Sequence, residues 1–135
     1  MTIGTIDWPE EPKMAIELYL NFVIRIIKEN NLIFPTQFKD PIVITQRYLE
    51  ESISVEEYKE AVVEWWDYID TNGFIREFSD RNALVARVAI CLLSVTAEDV
   101  PELGQHLSWF FELLDKLGIN TDCPTNQMYE HFPLK

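Results

Sequence analysis

Apolar residues recur at helical spacing through most of the chain. From Ala15, the positions Leu18, Tyr19, Phe22, Val23, Ile26 and Ile27 follow the i, i+3, i+4 rule of one buried helix face. Ile16, Leu20 and Ile24 widen that face, and Lys13, Glu17, Asn21, Arg25 and Lys28 form a thin polar ridge opposite. The helix starts either near Asp7, with Glu10 three residues on, or after Glu11 with Pro12 as its first residue; it ends near Asn30. Residues 82–96 are apolar nearly all round, with Arg87 as the one charge. A helix of that kind belongs in the middle of a bundle and is too short to cross a bilayer.

Between these stretches the boundaries are local. Asp40-Pro41 reads as an N-cap and first residue of a short helix to about Glu51, although Ile42 to Thr45 is a β-branched run. Ser54-Val55-Glu56-Glu57 is a capping box, and Gly73-Phe74 a left-handed stop. The helix between them buries Val55, Tyr58, Val62, Trp65 and Ile69, with Ala61 and Trp66 on the flanks. Ser79 or Asp80 caps the apolar helix. Asp99 caps a further one, which carries Pro101 in its first turn and Leu103, Leu107, Phe110, Leu114 and Leu117 as its stripe. Gly118-Ile119 ends it. The tail contains Pro124 and Pro133 and reads as loop, with at most one short helix around Asn126 to His131. The sum is an all-α protein: one helical domain over residues 1–135, a compact bundle of four long helices plus one or two short ones, with 119–135 a loop-rich tail.

Charge changes the picture. The 135 residues carry 23 acids and 11 bases, a formal net charge of −12. That field repels nucleic acid and anionic membranes and favours basic partners. The acids are concentrated: residues 50–70 hold eight against Lys59, a local net of −7. Glu56, Glu60, Glu64 and Asp67 stand four, four and three residues apart, so they share one arc opposite the inner stripe. Glu57 and Asp70 extend the ridge. Like charges at i, i+4 each cost about 0.2–0.5 kcal/mol, so a helix selected for stability alone would intersperse lysines. Such a ridge serves either solubility or the docking of something cationic. Glu98, Asp99 and Glu102 form a second acidic group that helix capping accounts for.

Catalytic patterns do not emerge. His106 and His131 lie far apart in sequence, and His106 reads as a surface residue within reach of Glu102. The Glu-x-x-His pairs of di-iron bundles, the Cys/His spacing of zinc clusters and phosphate-binding glycine loops do not occur, so no enzyme, cofactor or metal is expected. Arg87 either meets an acid or solvent along its stem, or binds an anionic ligand in a cavity. Cys91, inside the apolar helix, reads as a buried hydrophobe, and Cys123 as a free thiol. The N-terminal residues show no basic region followed by an apolar run, which points to a cytoplasmic protein.

In overall character, and through the ridge Glu56, Glu60, Glu64, Asp67 and the block Glu64-Trp65-Trp66-Asp67-Tyr68, the chain resembles the immunity proteins of bacterial contact-dependent growth inhibition and other polymorphic toxin systems. The resemblance implies tight binding to a cognate toxin domain, a basic nuclease in many such pairs. Carboxylates would stand where nucleic-acid phosphates would sit, and Trp66 and Tyr68 would serve as apolar anchors. The alternative is an acidic helical adaptor or a DNA mimic.

Overall fold

A computed structural model describes residues 3–135. Among them are six α-helices: α1 (Pro12–Glu29), α2 (Pro41–Leu49), α3 (Val55–Thr71), α4 (Arg81–Leu93), α5 (Leu103–Lys116) and α6 (Asp122–His131). Two 3₁₀ segments, Ile3–Thr5 and Ala97–Glu102, accompany them. The protein is all-helical; extended pairing among the described residues is one antiparallel bridge, Ile6 with Leu134. No helix among these residues is long and apolar enough to cross a membrane. The chain divides into two compact units, Met1–Asn30 with Val95–Lys135, and Asn31–Ser94.

In the first unit, α1 begins at Pro12 behind Glu11, and the Asp7 start is not used. The reason is non-local. Asp7 N donates to Pro133 O at 2.8 Å and Lys135 N to Thr5 O at 2.8 Å, so residues 5–7 are extended against the other end of the chain. Tyr19, Leu20, Phe22, Val23, Ile26 and Ile27 of α1 are fully buried. Phe22 meets Phe111 of α5 at 6.2 Å and Phe132 at 5.1 Å between ring centroids. The tail is more ordered than its prolines suggest. Residues 122–131 are helical, because Pro124 falls in the first turn of α6, where its missing N–H costs nothing. His131 Nε2 lies 2.8 Å from Leu18 O, so this histidine belongs to the packing.

The entry to α5 also differs from expectation. Thr96, not Asp99, is the cap: the Asp99 carboxylate accepts from Thr96 N at 2.8 Å and Thr96 Oγ1 at 3.1 Å. The capped segment is the 3₁₀ turn around Pro101, and α5 follows it. The turn absorbs the proline within a tighter helix, which an α-helix starting at Asp99 would not need.

In the second unit, α4 supplies ten buried residues and packs on α2 and α3. It stops at Leu93, before the expected Thr96. The end carbonyls of a helix lack partners within it. Here Leu92 O accepts from Tyr58 Oη at 2.6 Å, so α3 spends a buried hydroxyl on the end of α4; the Thr45 hydroxyl of α2, bonded to Pro41 O at 2.7 Å, lies 3.2 Å from the same carbonyl. The Tyr48 ring stacks on Tyr58 at 3.8 Å. The β-branched run of α2 is helical because Asp40 accepts from Ile42 N at 2.9 Å and Ile44 and Thr45 face the core. Glu51, at φ 62, turns the chain left-handed and ends that stretch.

Candidate functional site: the outward face of α3

Ser54 opens α3 with a reciprocal cap, its Oγ accepting from Glu57 N at 3.1 Å and its own N–H meeting Glu57 Oε1 at 3.4 Å. Gly73, at φ 69, closes it, and Phe74 N donates back to Ile69 O at 2.8 Å. Tyr58, Trp65 and Ile69 are buried and fix the rotation of the helix. Val55 is an exception to the expected stripe at 42% exposure, since it stands at the margin of the stripe in the first turn.

With that rotation set, Glu56, Glu57, Glu60, Glu64, Asp67 and Asp70 are all exposed. At about 100° per residue, Glu56, Glu60, Glu64 and Asp67 fall within an arc of about 80°. Among the described residues none of the six carboxylates is within ion-pairing distance of a cation, whereas Glu29 of α1 lies 3.3 Å from Arg25.

One flank of the arc carries charge that the sequence could not place. A groove of about 170 Å³ between α2 and α3 is lined by Lys39, Arg47, Glu57, Glu60 and Glu64. Two cations thus stand near three of the carboxylates without bonding them. They moderate that edge. With Lys59 on α3 itself, three cations stand near six carboxylates, and the face remains acidic.

The other flank is apolar. Val63 is 54% and Trp66 45% exposed on α3, and Ile75 and Phe78 are exposed in the loop that follows. Arg87, from α4, binds this flank together. Its guanidinium carbon lies 5.7 Å from the Trp66 ring centroid and 4.7 Å from that of Phe78. Its Nη2 donates to Ile75 O at 2.6 Å and to Phe74 O at 3.4 Å. Partial burial lowers its pKa from the usual arginine value, with the neighbouring Cys91 opposing the shift. Main-chain carbonyls and ring faces meet the Nη2 side of the group, while its buried Nε has no hydrogen-bond partner among the described residues. The loop is fixed at its far end by Glu77 Oε1, which accepts from Ser79 Oγ at 2.6 Å, Ser79 N at 2.8 Å and Asp80 N at 3.0 Å. These bonds, that from the Ser79 hydroxyl foremost, hold the Glu77 carboxyl below the usual carboxylate range.

The two aromatic anchors suggested by the sequence are placed differently. Tyr68 is half-buried, within 6.2 Å of the rings of Phe38, Trp65 and Phe74, and works in the packing of its own unit. Trp66 faces outward beside Asp67 and Asp70. Helical phase alone does not separate them, since at about 100° per residue both stand about 60° from the buried stripe, on opposite sides; Tyr68 is covered by Phe38 and Phe74, which come from outside the helix.

An exposed row of carboxylates beside an exposed Trp, Val, Ile and Phe cluster offers long-range attraction for cations and apolar area for close contact. It presents no nucleophile with an adjacent base. The chain matches no family model, no curated protein and no solved structure.

Proposed function

We propose that this protein captures a basic protein on the outward face of α3, and that the partner is a toxin domain which it neutralises as an immunity protein does. The observation that carries the reading is the set of exposed, unpaired carboxylates from Glu56 to Asp70 running beside exposed Trp66. Carboxylates along the arc draw in a cationic surface and occupy the places of phosphates on it. Trp66, with Val63, Ile75 and Phe78, supplies the desolvated contact that slows release. Arg87 holds Trp66 and Phe78 in position, so less ordering entropy is lost on docking.

The test is co-purification from the native host with tagged protein, alongside a Glu56→Lys/Glu60→Lys/Glu64→Lys variant. The wild type is expected to bring down a basic protein in one-to-one ratio, and co-expression to restore growth of cells making it. The variant, folded by circular dichroism, is expected to lose capture and protection. Equal capture by the variant, or an acidic partner, would overturn the reading.

A further inference from the structure

We propose that Asp99, Glu102 and His106, in the unit remote in sequence from α3, form a binding site for a divalent transition ion of the zinc class. One carboxylate oxygen from each acid and one ring nitrogen of His106 lie within 4.8 Å of one another. The backbone explains why. In a 3₁₀ turn, side chains three apart eclipse one another, which aligns Asp99 with Glu102. In the α-helix that follows, side chains four apart share a face, which aligns Glu102 with His106. Spacings of three and then four keep the three donors on one side of the chain through the change of helix type at Pro101.

Capping does not account for the whole arrangement. Asp99 spends Oδ2 on the N–H and hydroxyl of Thr96, which fixes the carboxylate and leaves Oδ1 facing the imidazole. His106 Nε2 stands 3.8 Å from that oxygen, beyond hydrogen-bond reach, and makes no hydrogen bond among the described residues. The ring is three-quarters covered and rests edge-on against buried Tyr19 at 6.3 Å. His106 is within reach of Glu102, as the sequence suggested, but is more covered than a plain surface residue. Zinc bonds of about 2.0–2.2 Å place neighbouring tetrahedral ligand atoms roughly 3.5 Å apart. Asp99 Oδ1 and His106 Nε2, 3.8 Å apart, already stand near that value, and Glu102 is the exposed member of the three.

The donor set selects the ion. An imidazole with two carboxylates suits zinc and its neighbours, whereas calcium and magnesium take all-oxygen shells and copper(I) takes thiolates. Three protein ligands leave a fourth position for water. Bound there, the ion would tie the 3₁₀ turn to the first turn of α5.

Metal-free full-length protein is titrated with ZnCl₂ by calorimetry and with CoCl₂ by visible absorption. One site is expected, with a tetrahedral cobalt spectrum and a melting temperature that rises with zinc. His106→Ala is expected to weaken zinc binding by more than about 100-fold, since loss of a mere outer-shell partner costs 10–100-fold. Glu102→Gln, outside the Thr96 cap, checks the same site without disturbing the fold; Asp99 is left intact because it closes that cap. A Cys123→Ser variant, which removes the exposed thiol, is expected to bind as wild type. Absence of zinc binding, binding indifferent to His106→Ala and Glu102→Gln, or binding lost with Cys123 would each overturn the proposal.

Discussion

Two residues of α4 show how burial sets chemistry. Cys91 is 6% exposed, and burial pushes its thiol up from 9.0 to about 12, with Arg87 nearby opposing the shift. The thiolate is the reactive form, so Cys91 is inert in the folded protein while exposed Cys123 is not. A disulfide-exchange reagent at pH 8 is expected to titrate one thiol per native chain and two in guanidinium; two fast thiols in native protein would refute this. The linkage has a definite sign. Between the unfolded value and about 12 the native state holds the proton that the unfolded state has lost, so this residue's contribution falls as pH rises above about 9 and is constant below it. Arg87 sits one turn away and does the opposite work, exposing its charge to carbonyls and ring faces. Arg87→Met keeps the stem but loses the bonds to Ile75 O and Phe74 O. A loss of about 1–3 kcal/mol in urea unfolding is expected, with increased protease sensitivity between Phe74 and Ser79. Unchanged stability would mean that the loop is held by Glu77 alone.

At the scale of the element, α3 carries a conflict that a single substitution exposes. Glu60 has Glu56 four residues before it and Glu64 four after. Glu60→Lys turns two repulsions into two attractions, each change worth about 0.2–0.5 kcal/mol on either side of zero. The helix is therefore expected to gain roughly 0.8–2 kcal/mol, read as a higher urea midpoint, while the proposed capture of a basic partner weakens. A destabilised Glu60→Lys would show that the Lys39 and Arg47 beside Glu60 already compensate it. The same helix was the most legible in the chain, because its signals are local: Ser54 and Glu57 three apart, Gly73 then Phe74, carboxylates at i, i+4. What could not be read were features made by partners distant in sequence. The Asp7 box is as good a cap as many, but residues 5–7 are claimed by 133–135. Pro124 looks like a breaker until its place in a first turn is known. On the site itself, the acids were legible and their surroundings were not. Lys39 and Arg47 arrive with α2, Phe78 with a loop, and Arg87 with α4, and no spacing within residues 55–71 announces them.

At the scale of the whole molecule the controlling quantity is the net charge of −12. Self-repulsion of that size opposes the folded state, and few ion pairs offset it among the described residues. Added salt screens the repulsion, with a Debye length of about 30 Å at 0.01 M and about 10 Å at 0.1 M. The free protein should therefore become more stable between about 0.01 M and 0.3 M sodium chloride, its melting temperature rising by a few degrees. The capture proposed above would run the other way, because the same screening removes the attraction that steers encounter: the association rate should fall while the dissociation rate, assigned in that proposal to the Trp66 contact, changes little. On that proposal, stability and capture would carry opposite salt dependences arising from one charge distribution. Stopped-flow association with the co-purified partner, run across the same buffers as the thermal melts, measures both. If association were indifferent to salt while stability still climbed, the acids would serve only to keep the free chain in solution, and docking would have to rest on the apolar flank alone.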